Sequence, residues 1–312
     1  MARPAAQNQG AHLEAAVLRV LRSGRYIGGP EVAAFEKALA AYVGADHAVG
    51  TASGTAALHA VLLALGVGAG DEVVLPAYTF CATLEAVLHV GATPVLVDID
   101  ADHLLDVDAV AAATTARTRA VVAVHLFGRR ASVPALRARV PAHVAIIEDS
   151  AQAFGPHRPE GCAACFSFFP AKVLGAAGDA GAVVTDDGAL GARVRAIVNH
   201  GREAGVSQTL GHNFRLDALQ AALLREKLPH VPGMRARRRW IAAQYRAGWA
   251  ERELGLPRDQ DGHAWQCFGI TVAARDALAA ALAGEGIASA VYYRPPLHRQ
   301  RPAPSACRST PS

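Results

Sequence analysis

Ile146-Ile147-Glu148-Asp149-Ser150-Ala151-Gln152 opens as a short apolar strand and ends in two acids, and Phe166-Ser167-Phe168-Phe169-Pro170-Ala171-Lys172 repeats the form with a lysine at its end. Runs this short and this apolar predict strands buried on both faces, which is the habit of parallel sheets. Working outward, the same texture recurs. Strands are predicted at 47–51, 72–76, 94–97, 120–124, 144–148, 164–168 and 181–185, with alanine-rich helices at 55–65, 81–90, 107–113 and 133–139 between them. Strands and helices in alternation imply βαβ crossovers, hence an α/β fold with a mostly parallel sheet flanked by helices. Two amphipathic helices, 11–23 and 30–42, precede it. Beyond residue 186 the pattern becomes helical, at 190–198, 216–228 and 235–254, and then mixed. A strand near 265–272, a helix at 276–284 and a strand near 288–293 suggest a small α+β domain. The division expected is an N-terminal helical segment (1–25), a large domain (26–233) and a small C-terminal domain (234–312) that ends in the proline- and serine-rich 301–312 as a frayed tail.

Composition narrows the function classes. With 312 residues, 52% hydrophobic and 19% charged, the chain is a folded globular protein rather than a disordered one. Lys+Arg of 31 against Asp+Glu of 27 gives +4, spread along the chain, so neither nucleic acid nor a membrane surface is an expected partner. The run Arg235-Ala236-Arg237-Arg238-Arg239 is expected on a solvated helix face. Five scattered cysteines and no uninterrupted run of eighteen apolar residues point to a reducing cytoplasm, and Cys162-Ala-Ala-Cys165 reads as part of a buried strand rather than as a metal site; no metal is expected. Only three of the 31 basic residues are lysines: Lys37, Lys172 and Lys227. Lys37 and Lys227 fall on polar helix faces, where arginine would serve, whereas Lys172 lies in a loop between two strands. Lysine, unlike arginine, can lose its proton and attack a carbonyl.

Ligands of open parallel sheets collect at the carboxyl ends of the strands. At one such end Ser53-Gly54-Thr55 opens directly into a helix, and small residues at a helix N-terminus form a phosphate seat. At a second, Tyr78 and Phe80 supply aromatic faces. At a third Asp149 needs a cationic partner, such as a heterocycle nitrogen, and at the fourth stands Lys172. A phosphate seat, an acid for a ring nitrogen, an aromatic to stack on a ring and a lysine for a carbonyl carbon are what pyridoxal phosphate requires. Neither GxGxxG nor GxxxxGK[ST] stands at a strand–helix junction, which disfavours dinucleotide and P-loop readings. His125 is expected to be a satisfied core histidine.

The spaced motifs GPEVAAFE, SGTAAL, LPAYTFCAT, EDSAQA, FSFFPAK, GDAGAVVT, NHG and GHNFRLDALQAA resemble the DegT/DnrJ/EryC1/StrS family of pyridoxal-phosphate sugar aminotransferases, from Tyr26 to His298. The resemblance implies the type I aspartate aminotransferase fold and an amino group moved from glutamate or glutamine to a keto group on a nucleotide-activated sugar. A cyclitol or aminohydroxybenzoate-type reaction, or a shortened paralogue without activity, stays open. It further implies that Lys172 bonds the cofactor covalently, Asp149 pairs with its ring nitrogen and Phe80 stacks on its ring. Ser53, Gly54, Thr55 and Ser167 would hold the phosphate and Gln152 the ring oxygen. Asn213 would reach the phosphate of the neighbouring subunit, making a homodimer with shared sites, and His298 would lie at the substrate mouth; Arg215 and the His298 region are the candidates for acidic-substrate contacts. Two departures are a short loop at 155–162 and the replacement of the family's last small-domain segments by 301–312.

Overall fold

The computed structural model describes residues 4–203, 205–252, 254–300 and 308–309. Seven strands predicted from sequence are present within a few residues of the expected bounds: β1 (His47–Thr51), β2 (Glu72–Pro76), β3 (Thr93–Val97), β4 (Thr118–Val124), β5 (Ala145–Asp149), β6 (Ala163–Ser167) and β7 (Gly181–Thr185). A two-residue hairpin, β8 (Arg202–Glu203) with β9 (Val206–Ser207), and an edge strand β10 (Arg308–Ser309) complete the set. The main sheet runs β1-β7-β6-β5-β4-β2-β3-β10. Strands from β10 through β6 are parallel, and β7 is antiparallel to both β6 and β1. The fold is therefore the mostly parallel α/β arrangement expected. β10 corrects the expectation of a frayed tail, since two of its residues pair with Val95 and Leu96; 301–307 and 310–312 lie outside the described residues.

The helices are α1 (Pro4–Ser23), α2 (Gly29–Val43), α3 (Gly54–Ala64), α4 (Cys81–His89), α5 (Val107–Ala113), α6 (Val133–Arg139), α7 (Gly188–Val198), α8 (Ala218–Lys227), α9 (Val231–Trp249) and α10 (Arg275–Gly284). Alternate residues of each strand feed opposite layers. Val73 and Leu75 pack with α3, α4 and α7 on one face, while Val74, Val95 and Val121 meet α5 and α6 on the other. At the β1 end of that second face, Phe35, Phe166, Phe168 and Leu224 form a third cluster with α1, α2 and α8. Ala16 and Val20 of α1 belong to this cluster, and α9 runs unbroken across 233–234.

The region after α9 departs from expectation. No strand forms at 265–272 or 288–293; among the described residues there is only an isolated bridge between Gly255 and Thr271. The backbone finds other partners: Ala264 N–H donates to Gly128 O (2.8 Å) and Cys267 N–H to Phe127 O (3.3 Å), so the segment is laid against the 126–128 turn instead of a sheet edge. Gly128, with φ +99°, is needed there, because a Cβ would sit 2.9 Å from Trp265 N. The basic run is also not wholly solvated. Arg235 donates to Phe154 O (3.3 Å) and Gly262 O (2.8 Å), and Arg238 to Trp265 O (3.1 Å) and Gln266 O (3.3 Å). These arginines hold loop carbonyls that lack a ladder partner.

The joint of α3 with the sheet leaves no room for side chains. A Cβ on Gly181 would lie 2.4 Å from Ser53 C and O, and one on Gly54 would lie 2.8 Å from Ser167 Cβ. Gly181→Ala is expected to destabilise the fold by about 2 kcal/mol through forced displacement of the α3 N-terminus, read as a lower urea midpoint at unchanged slope.

Candidate active site

The turn between β1 and α3 gives the site its first component. Ser53 is extended and caps α3, its Oγ accepting from Ala56 N–H at 3.1 Å. The amides of Gly54 and Thr55 stand at the helix start, with no carbonyl a turn earlier to take them, on the positive end of the helix dipole. Ser167, the last residue of β6, lies directly against Gly54. A cradle this tight, with glycine where a Cβ would fill it, fits a phosphate group.

Asp149 ends β5 and is buried. Its Oδ2 accepts from Thr83 Oγ1 at 2.8 Å and its Oδ1 from Ala151 N–H at 3.2 Å. Thr83 is itself paired with Thr79 (3.2 Å) across the first turn of α4. Burial pushes the Asp149 carboxyl above the usual range, against the opposing pull of Thr83, Ala151 N–H and Lys172. Lys172 is half-buried; burial pushes its ammonium below the ordinary lysine value, opposed by Asp149 and Cys267. A buried carboxyl with its pKa raised, beside an amine with its pKa lowered, fits a cofactor with a cationic ring nitrogen and an electrophilic carbon. Phe80, at the N-cap of α4, is 56% exposed, so an aromatic face is open to a ring. Thr83 falls within the LPAYTFCAT motif, but its role rests on the α4 turn and was not visible in the sequence.

Lys37 is exposed, as expected, but Lys227 is not on a solvated face: its Nζ donates to Gly175 O at 2.7 Å, in the loop that carries Lys172.

Next to Asp149, Glu148 and His125 form a fully buried pair. His125 Nδ1 accepts from Ala131 N–H at 3.0 Å, so the neutral ring carries its proton on Nε2 and donates it to Glu148 Oε2 at 2.8 Å. Glu148 Oε1 accepts from the amides of Glu160 (2.6 Å) and Gly161 (2.7 Å). His125 is thus the satisfied core histidine expected. Burial raises the Glu148 carboxyl, but His125 and the two amides outweigh it and its pKa falls below the usual value. His157 is near enough for the three to share an ion, with ligand atoms within 4.8 Å. The Ala131 amide argues against one, because a metal on Nε2 would require a proton on Nδ1, facing that N–H. His157 is pushed down to about 3 by burial and then by Arg130.

The remaining predicted residues fall in three places. Gln152 joins the cluster, but its Oε1 accepts from Phe127 N–H (2.7 Å) and its Nε2 donates to Tyr293 Oη (2.9 Å), leaving one amide hydrogen for a ligand. Tyr293 carries no sequence signal of its own; burial pushes its phenol up. Asn213 is exposed and Arg215 bridges Thr51 at the end of β1, donating to Asn199 Oδ1 at 3.2 Å. His298 is exposed beside Leu297, whose N–H donates to Ala77 O (3.1 Å) after β2. β1 and β2 are five strand steps apart, roughly 24 Å at the usual spacing, so Arg215 and His298 do not converge within one subunit.

The sequence matches the DegT/DnrJ/EryC1/StrS aminotransferase family over residues 7–311. The chain belongs to that family. It is 43% identical over 294 residues to a UDP-N-acetyl-3-dehydro-alpha-D-glucosamine 3-aminotransferase of Acidithiobacillus ferrooxidans, covering 91% of this chain and 80% of that one. It is 44% identical over 301 residues to a dTDP-3-amino-3,4,6-trideoxy-alpha-D-glucose transaminase of Streptomyces venezuelae, covering 92% and 79%. The crystal structure of NtdA from Bacillus subtilis with bound cofactor PMP superposes with a TM-score of 0.88 at 30% identity, covering 94% of this chain and 71% of that one. The protein is an aminotransferase whose cofactor is pyridoxal phosphate.

The depressed Glu148 pKa fixes the sign of an acid effect: its stabilisation is present above the unfolded carboxyl pKa and is lost as pH falls through the lower folded value. Glu148→Gln sets an amide N–H against His125 Nε2–H and is expected to cost about 3 kcal/mol at neutral pH. The difference from the parent should shrink in urea titrations run at progressively more acidic pH.

Proposed function

We propose that this protein moves an amino group from L-glutamate or L-glutamine to a keto group on a nucleotide-activated sugar. The observation that carries the reading is the convergence of the α3 seat, buried Asp149 and half-buried Lys172 near the carboxyl ends of the central strands. The relatives described above, named for UDP- and dTDP-linked sugars, support the acceptor class.

In this reading the amides at Ser53–Thr55 and the Ser167 hydroxyl hold the cofactor phosphate, Phe80 covers one ring face and Gln152 offers its free amide hydrogen to the ring oxygen. Pyridoxal phosphate, when bound, supplies a carbon that bonds amines and a ring that draws electrons from it. Asp149 keeps the ring nitrogen protonated; the nitrogen's charge in turn offsets the burial that raises Asp149. Lys172 Nζ would take the proton from the donor's Cα, and burial lowers its proton affinity from that of an ordinary lysine.

A second copy of the chain completes the site. Asn213 is exposed on the arm that follows the β8–β9 hairpin, Leu210 on the same arm is 95% exposed, and Phe80 and Phe169 are also uncovered. A homodimer would bury these side chains and bring Asn213 to the partner's phosphate, with Arg215 and His298 meeting at a mouth built from both subunits. Among the described residues no helix is long and apolar enough to cross a membrane; the scattered cysteines fit a reducing compartment, and the cytoplasm is the one proposed.

Protein loaded with pyridoxal phosphate is expected to absorb in the visible and to change on addition of L-glutamate, and Lys172→Ala to do neither; colourless wild-type protein after reconstitution would sink the reading. Mixing Lys172→Ala with Asn213→Ala subunits tests the shared site. Random exchange leaves about one site in four with both residues, so about a quarter of wild-type activity should return.

A further inference from the structure

Lys172 sits in a loop, not on a strand or helix, yet its backbone is held from two sides. From within, Lys172 N–H donates to Phe169 O (2.8 Å) and Ala176 N–H to Phe168 O (2.7 Å). From α8, Lys227 Nζ donates to Gly175 O (2.7 Å) and Gln220 Oε1 accepts from Ala177 N–H (2.9 Å). A third set of contacts brackets the lysine itself. Gln266 Nε2 donates to Ala171 O at 2.9 Å, and Gln266 Oε1 accepts from Val173 N–H at 3.1 Å. One planar amide therefore bonds the residue before Lys172 and the residue after it.

Gln266 is itself fixed. Arg238 Nη1 bonds the carbonyls of Trp265 and Gln266, and Cys267 N–H is bonded to Phe127 O. Trp265 has φ +49°, a region that a bulky side chain rarely occupies, and its ring stacks on His263 at 3.9 Å. A strained conformation of this kind persists only where the surroundings over-determine it. Here it sets the direction of the neighbouring Gln266.

We propose that Gln266 is a positioning residue for Lys172, clamping the two peptides that flank it so that the amine leaves and returns to one carbon while its backbone stays still. The inference rests on the function proposed above. An uncharged amide is well suited to this role, because it holds the backbone through two hydrogen bonds of about 1 kcal/mol each without adding charge beside the amine. The charged and titratable groups that face Lys172 are Asp149, from β5, and Cys267, from the segment that carries Gln266. Loosening the clamp admits water to Lys172 and returns its proton affinity toward the ordinary lysine value, so capture of a carbonyl should require a higher pH.

The test uses full-length protein stripped of cofactor, given pyridoxal phosphate, quenched with borohydride at timed intervals and mapped by peptide mass. Gln266→Met keeps the length and removes both hydrogen bonds; Gln266→Ala removes them with the side chain. In both, labelling at Lys172 is expected to slow on the order of tenfold at neutral pH, and its pH midpoint to move upward, while the cofactor-free thermal midpoint of Gln266→Met falls only by the few degrees that two such bonds account for. Wild-type labelling at Lys172 with an unchanged rate and pH midpoint in Gln266→Met overturns the clamp alone. Wild-type protein that takes no label at Lys172 overturns the functional reading and the clamp with it.

Discussion

Asp149 is a carboxylate withdrawn from water at the carboxyl end of a central strand, and the arrangements around it follow from compensating that withdrawal. Thr83 and the Ala151 amide each offer one hydrogen bond, too little to restore the ordinary carboxyl pKa, and the remaining deficit makes the position a seat for a cation. Glu148, one residue earlier and on the opposite side of the strand, is compensated fully by His125 and two loop amides, and its pKa falls instead. Two adjacent acids on one strand thus end with opposite shifts. The first is left open to a ligand; the second ties the 155–161 loop and the β4 end into a rigid support for it.

The same economy of space governs the phosphate seat. Gly54 and Gly181 let α3 start directly on the sheet, so that its amides and Ser167 face one point. The loop carrying Lys172 enters from the next pair of strands and is held by α8 on one side and by the segment after α9 on the other. Arginines serve this second layer: Arg235 and Arg238 take up carbonyls of turns that have no ladder to join, which explains why the basic run on α9 is only partly solvated.

Much of this was legible in the sequence. The seven strands and their crossovers follow from apolar runs of strand length separated by alanine-rich helices, and the scarcity of lysine pointed to Lys172. Lys227 occupies a helical position that looks solvent-facing in sequence, and only the fold brings the Gly175 carbonyl against it. The predicted strands at 265–272 and 288–293 failed for a related reason. A β-rich segment forms a strand only where a ladder partner is available, and these residues meet the 126–128 turn instead. Thr83, Gln266 and Tyr293 carry no distinguishing pattern of their own.

What the sequence by itself determined is local: which runs are buried, where strands give way to helices, and which side chains of unusual chemistry stand at those ends. Those follow from periodicity and residue type, which a linear text records. What only the tertiary structure decided is the placing of distant groups: Thr83 on Asp149, Gln266 across Lys172, Lys227 under the loop, and Arg215 and His298 five strands apart in the sheet. Such pairings depend on strand order and loop path, because hydrogen-bond reach is about 3 Å and residues far apart in the chain come within it only when the sheet is assembled.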